Sequence, residues 1–84
     1  MTNIGEGAFE SCKSLISINI PNRVITIGKS AFCFCDSLTI INIPDSVTNI
    51  GNGAFAGCYE IPFEIEFDII QRFGKEVFES FLLG

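Results

Sequence analysis

The sequence contains no histidine and no tryptophan, and only five of its 84 residues are Lys or Arg. Without histidine, the chain lacks the commonest metal ligand and the side chain that most often acts as a general base near neutral pH. Ten acidic residues give a net charge of −5, which is the wrong sign for binding nucleic-acid phosphates. The composition therefore argues against a metal centre, general-base catalysis by histidine and nucleic-acid binding.

Long apolar runs are also missing. No run approaches the roughly 18 residues of a membrane span, so we expect no membrane insertion. The N-terminus does not show the basic region followed by an apolar one that marks a signal peptide. We therefore expect a cytoplasmic protein by default, and the alternative is a fragment of a secreted or cell-surface protein.

The abundant residues are apolar, at 48% of the chain with nine phenylalanines, and they recur in a repeat. "IGEGAFESCKSL" starts at Ile4, "IGKSAFCFCDSL" at Ile27 and "IGNGAFAGCYEI" at Ile50, which gives a period of 23 residues. The shared frame is I-G-x-x-A-F-x-x-C-x-x-[LI]. A unit of this length cannot cover its own apolar face, so the repeat predicts a solenoid of stacked coils.

Each position of the unit has a physical role in such a coil. Spacings of 4, 1, 3 and 3 predict one face of a short helical segment, formed by Ile4, Ala8, Phe9, Cys12 and Leu15. Ile18 and Ile20 alternate with polar residues, which predicts a short strand that ends at Pro21 because proline has no N–H to donate. A glycine opens each turn, where the backbone needs either a positive φ or a close approach: Gly5, Gly28 and Gly51.

Three cysteines occupy one slot of the frame, so Cys12, Cys35 and Cys58 should form a column inside the coils. We interpret them as buried structural thiols, because free cysteine behaves as a small apolar residue. Metal binding is a weaker interpretation, since a column does not surround an ion tetrahedrally. Disulfides between coils are also weaker, since parallel Cβ vectors do not generally suit them.

Cys33 lies outside this column. Its slot is filled by Glu10 and Ala56 in the other units, so we expect it on the outer side as an inert, partly exposed thiol. The alternative is a redox or intermolecular contact, which only the nearby Lys29 supports by lowering the pKa of the thiol.

These residues resemble the BspA-type leucine-rich repeats, whose unit likewise runs I-G-x-x-A-F-x-x-C-x-x-L-x-x-I-x-I-P-x-x-V. The likeness covers Ile4 to about Ile61. The resemblance implies an α/β repeat fold, a leucine-rich-repeat solenoid with short parallel strands on the concave face and short helical turns on the convex face. It also implies function by binding, because such repeats occur in surface and secreted proteins that contact host or matrix proteins.

After Cys58 the frame slips. Continuing the period would put Glu64 and Glu66 inside the coil, which is an expensive burial of charge. Deleting one residue instead places Phe63 and Ile65 inside and both glutamates outside. The pattern therefore predicts a third strand with an acidic outer face, and a solenoid over residues 1–67.

The remaining residues, 68–84, predict an amphipathic helix of about four turns, because apolar residues recur at three- and four-residue intervals. Asp68 and Gln71 have the spacing of a capping box, and Gly74 weakens the middle of the helix by roughly 1 kcal/mol. We interpret the helix as a cap over the last coil, with an oligomerisation or partner helix as the alternative. The residues assigned to this cap or oligomerisation surface are Phe73, Val77, Phe78, Phe81 and Leu82.

Two functions follow from the sequence. The first is a protein-interaction module that binds an unknown protein partner through the concave strand face or the apolar ends. The second is a small self-assembling homo-oligomer with no external ligand, because the N-terminal coil begins without a cap and an open strand edge invites another chain. The predicted concave partner-binding residues are Ser17, Asn19, Ile40, Asn42, Glu64 and Glu66.

We expect no enzyme activity and no cofactor. The glycines of "IGEGAF" and "IGNGAF" recur with the repeat, so turns explain them better than phosphate binding does. Glu64 and Glu66 could imitate a carboxylate pair, but nothing in the sequence raises the pKa of one above that of the other.

Overall fold

Three coils of the repeat stack on one another in the computed structural model, which describes residues 2–79. A parallel sheet contains β1 (Asn3–Ile4), β3 (Thr26–Ile27) and β5 (Asn49–Ile50) in that order. A second parallel pair contains β2 (Ser17–Asn19) and β4 (Ile40–Asn42). The chain continues in helix α1 (Phe63–Phe73) and a 3₁₀ helix (Lys75–Phe78). The fold is therefore an α/β repeat of the leucine-rich-repeat type.

The 23-residue period sets the register of both sheets. Ile4 pairs with Ile27, and Ile27 pairs with Ile50. The turns follow the same rule, since the amide of Phe9 donates to the carbonyl of Ala31 at 2.7 Å. Each coil thus donates its turn amides to the coil that follows it.

The core consists of columns of equivalent side chains. The ring of Phe32 lies 5.2 Å from that of Phe9 on one side and 5.2 Å from that of Phe55 on the other, in nearly parallel planes. Phe32 and Phe55 are fully buried, while Phe9 at the open end is 37% exposed. Stacking of equivalent residues therefore builds the dry interior that the repeat predicts.

Close approach of the backbone, and not a positive φ, explains the glycines that open the coils. A Cβ on Gly28 would lie 2.6 Å from the amide nitrogen of Glu6, and one on Gly51 would lie 2.5 Å from that of Lys29. Gly5, by contrast, has nothing within 4 Å of such an atom. Glycine is required where one coil packs on another.

The predicted third strand and capping box are wrong, because α1 begins at Phe63. The amides of Ile65 and Glu66 turn back to the carbonyl of Pro62, which is extended and precedes the helix. The helix brings Ile69 into the core, where it is only 2% exposed. The alternation that predicted a strand ran only from Phe63 to Phe67 and did not include this residue. Asp68 lies in the middle of α1, so the expected division between residues 67 and 68 falls inside this helix.

The predicted single helix over residues 68–84 is also wrong, because α1 ends at Phe73 and the Gly74 that follows has a φ of 97°. The segment from Phe73 to Phe78 repeats the segment from Ile50 to Phe55 after 23 residues. The ring of Phe78 lies 6.0 Å from that of Phe55, which extends the aromatic column. The 3₁₀ helix is thus the start of a degenerate fourth coil.

The position of Cys33 is a further correction, since the side chain is buried and not partly exposed. Cys33 belongs to the second coil, which is covered by the first coil on one side and the third on the other. The equivalent residue of the third coil, Ala56, is buried as well. Glu10 is exposed in the same slot because the first coil is covered on one side only. The exposed glutamate misled the sequence interpretation.

Candidate functional site

The candidate site is the surface of the β2–β4 pair. Ser17 pairs with Ile40 and Asn19 with Asn42, so four of the predicted binding residues lie together and are exposed. Ile18, between the two outward residues of β2, packs against the core. The alternation of a strand, with one face inside and one outside, explains this arrangement.

The two asparagines form a short amide ladder. The side-chain nitrogen of Asn42 donates to Oδ1 of Asn19 at 2.9 Å. This bond uses one donor of Asn42 and one acceptor site of Asn19, which leaves both amides able to bind a ligand. The asparagines also line a shallow depression of about 270 Å³ together with Pro21 and Pro44.

Two isoleucines make this surface partly apolar. Ile40 is 59% exposed and Ile16, at the rim, is 60% exposed. Thr39 lies beside Ile16, where its hydroxyl donates to the Ile16 carbonyl at 3.3 Å. These exposed aliphatic side chains lie next to asparagine amides that still have unused donors and acceptors. The surface therefore combines the apolar and polar contacts that protein partners use.

The two predicted glutamates separate in the structure. Both lie in the first turn of α1, where their negative charges stabilise the helix by interacting with the positive end of its dipole. Glu64 lines a groove of about 220 Å³ between α1 and β4, opposite Asn42. Glu66 does not line this groove and is half-buried, so only Glu64 lies beside the β2–β4 surface.

Arg72 is an important residue that the sequence interpretation missed. Its guanidinium donates to the carbonyls of Ile43 at 3.1 Å and Pro44 at 3.2 Å, and lies 3.8 Å from the Asp68 carboxylate. A neighbouring strand would donate backbone N–H groups to the carbonyls that follow β4, but α1 lies there instead. The planar guanidinium of Arg72 supplies the donors in their place. An arginine near the start of the helix predicted over residues 68–84 carried no signal of this role.

The residues assigned to the cap are close to the core. Val77 is 1% exposed, Phe73 packs against the core cluster, and the ring of Phe78 contacts that of Phe55 at a tilt of 33°. The amides of Gly53 and Phe55 donate to carbonyls of the 3₁₀ helix at 2.8 and 2.9 Å. Phe81 and Leu82, assigned to the same surface, lie outside the described residues.

The cysteine column is bonded to the backbone of the preceding coil. The thiol of Cys35 donates to the carbonyl of Phe9 at 3.1 Å, and that of Cys58 to the carbonyl of Phe32 at 3.0 Å. Burial raises the pKa of the Cys58 thiol to about 12 and also raises the pKa values of Cys33 and Cys35. Cys35 and Cys58 are therefore structural hydrogen-bond donors, and all three thiols are poor nucleophiles because the thiolate is disfavoured.

Other chemistry finds little support in the part of the chain that is described. Residues 2–79 contain no group of three or more side chains placed to hold a metal ion. Across the same residues, no helix has the length and apolarity required to cross a bilayer.

Comparison with known proteins agrees with the architecture. The family model described as BspA type leucine rich repeat region (6 copies) matches residues 1–83. No curated protein matches the chain.

Two solved structures are similar to this chain. A leucine-rich repeat protein of Bacteroides ovatus ATCC 8483 is 41% identical with a TM-score of 0.69, and the match covers 89% of this chain and 20% of that one. The T. pallidum leucine rich repeat protein (TpLRR) is 33% identical with a TM-score of 0.71, and the match covers 73% of this chain and 28% of that one. The chain thus spans less than a third of the length of either structure.

Proposed function

Because the chain belongs to the BspA-type leucine-rich repeat family, we propose that it is a non-enzymatic module that binds a protein partner through its concave β2–β4 face. Repeat proteins of this kind are generally interaction modules. The main support for this surface is the exposed amide ladder of Asn19 and Asn42, which lies beside Ile40, itself 59% exposed.

The chemistry of this face favours an extended peptide segment of the partner. Amides that keep free donors and acceptors bind main-chain N–H and C=O groups, while Ile40 and Ile16 supply apolar contact. Glu64, in the groove beside Asn42, favours a basic side chain at one end of such a segment.

Photo-crosslinking tests this surface. A photoreactive amino acid in place of Ile40 is expected to capture a discrete partner, whereas the same substitution at Tyr59, which is 76% exposed, serves as the matched control. The captured protein is then purified and tested for direct binding, and Asn42→Ala should weaken that binding about tenfold. Unchanged binding by Asn42→Ala would place the interaction on another surface.

A second candidate is self-association through the N-terminal coil. Ala8 and Phe9 are exposed, whereas the equivalent Ala31 and Phe32 of the next coil are fully buried. The edge of β1 is also open to a further strand, and exposed edges favour pairing with another chain.

Sedimentation over a range of protein concentrations tests this candidate. A homo-oligomer should dissociate on dilution, melt at a temperature that depends on concentration, and become monomeric with Phe9→Ser. A protein that stays monomeric at high micromolar concentration would exclude the self-association hypothesis, and it would leave the concave-face proposal unaffected.

A further inference from the structure

Helix α1 has a second apolar face that points away from the core. At 100° per residue, Phe63, Phe67 and Ile70 fall within about 60° of one another, while Ile65 and Ile69 fall on the opposite side. The inner residues pack on the core, and Ile69 is 2% exposed. The outer side chains form a separate ridge, which we call the outer stripe.

The outer stripe is open to solvent. Phe63 is 73% exposed and Phe67 is 51% exposed, while Ile70 is half-buried. The two rings lie 5.9 Å apart at an interplanar angle of 32°, so they pair with each other along the helix. A surface helix normally keeps its solvent face polar, so a paired aromatic ridge marks an interaction surface.

Charge of one sign borders the stripe. Glu66 falls on one side of it and Glu64 on the other, and residues 59–71 contain four acids and no base. Arg72, the next base, is engaged by the carbonyls of Ile43 and Pro44. The ridge is therefore an apolar line between two acidic flanks.

We propose that the outer stripe of Phe63, Phe67 and Ile70 binds an amphipathic helix of a partner protein whose apolar ridge is flanked on both sides by Lys or Arg. The ends of the stripe, Phe63 and Ile70, are seven positions apart along the helix, a length of about 10 Å that a second helix can follow. Bases on the flanks of that helix meet Glu64 and Glu66, as charges beside a coiled-coil seam do.

The same charges disfavour two other occupants. A second copy of the chain, docked stripe to stripe, would bring acidic flanks against acidic flanks. An anionic membrane, which exposed phenylalanines could enter, would repel the four acids. Charge complementarity therefore selects a basic partner helix. Glu64 is the one residue that this surface shares with the concave-face proposal above.

The test uses the full chain and three labelled synthetic peptides of roughly 18 residues, five helical turns. The probe peptide carries Leu at the a and d positions and Lys at the e and g positions. One control keeps the lysines and replaces Leu by Ser, and the other keeps the leucines and replaces Lys by Glu. Fluorescence anisotropy measures the affinity of each peptide for the protein.

The probe peptide should bind at least about tenfold more tightly than either control. Phe67→Ser, or Phe63→Ser if the first variant does not fold, should weaken the probe about tenfold or more. Ile25→Ser is the matched control, because Ile25 is 47% exposed and lies outside the stripe. Reversing both flanks with Glu64→Lys and Glu66→Lys should transfer the preference to the peptide that carries Glu.

Several results would overturn the proposal. Equal binding of the Ser control would mean that charge alone attracts the peptide, and unchanged binding by Phe67→Ser would exclude the stripe. A dimer of the chain that Phe67→Ser converts to monomer would assign the stripe to a second copy. Binding to vesicles of phosphatidylserine that is lost in Phe67→Ser would assign it to a membrane.

Discussion

The side chain of Asn42 donates a hydrogen bond to Oδ1 of Asn19 at 2.9 Å, across the boundary between two coils. The same 23-residue step that aligns these exposed amides also aligns the buried rings of Phe32 and Phe55. Stacking therefore determines the core and the candidate binding surface together. Changes that disturb the stacking should affect both, whereas changes on the concave face should affect binding alone.

Substitution of the turn glycines should show that coils require close approach. We expect Gly51→Ala to destabilise the protein by about 1–3 kcal/mol, because the new methyl group would meet the backbone of Lys29 at 2.5 Å. Gly5→Ala should be neutral or slightly stabilising, since nothing lies within 4 Å of that position. Thermal unfolding of the two variants gives the comparison, and equal destabilisation would contradict the role assigned to packing.

The aromatic column should be most sensitive at its centre. Phe32 is fully buried between two rings, so we expect Phe32→Ala to cost about 3–5 kcal/mol, enough to unfold much of the population. Phe9 is 37% exposed at the open end, so Phe9→Ala should cost clearly less. Urea denaturation of both variants measures the difference. A larger loss for Phe9→Ala would mean that this end is covered in solution.

Arg72 should stabilise the junction between α1 and β4. We expect Arg72→Ala to lower the free energy of unfolding by about 1–3 kcal/mol, because the Ile43 and Pro44 carbonyls lose a charged donor. Arg72→Lys should restore part of the loss, since lysine keeps the charge but not the planar fork. Arg23→Ala serves as the control at an exposed base. Equal stability of the Arg72→Ala and Arg23→Ala variants would show that the contacts contribute nothing.

The buried thiol of Cys58 should make stability depend on pH in the alkaline range. Burial raises its pKa from 9.0 to about 12, so above pH 9.0 the unfolded chain loses a proton that the folded chain keeps. The free energy of unfolding should therefore fall as pH rises from 9.0 towards 12, by at most about 1.4 kcal/mol per pH unit for this thiol.

Comparison with Cys58→Ala isolates this contribution from other groups that titrate at high pH. Below pH 9.0 the difference in unfolding free energy between wild type and variant should be constant, and above it the difference should shift against the wild type. A difference that stays constant through the alkaline range would show that the thiol ionises equally in both states.

The sequence predicts the solenoid because its signals are local and repeated. Three copies of the frame agree on the residues that become the stacked columns, and the alternation around Ile18 and Ile41 predicts the outward residues of β2 and β4. The prediction of binding by those residues remains untested.

The C-terminal part could not be predicted in the same way. Phe63, Ile65 and Phe67 fit a strand as well as a helix, and the choice depends on whether Ile69 can reach the core. Burial of that residue is a tertiary effect with no local signal. The degenerate fourth coil was visible in principle, since Phe78 follows Phe55 by one period, but the helical spacing of its neighbours concealed it.

The most direct measurement of the proposed function is the affinity of a purified partner, identified by crosslinking, for two matched variants. Ile40→Asp places a charge on the concave face and Ile25→Asp places one elsewhere, at residues that are 59% and 47% exposed. Binding through the concave face predicts a loss of about tenfold or more for Ile40→Asp and no change for Ile25→Asp. Unchanged affinity of the Ile40→Asp variant, with its fold intact, would contradict the account.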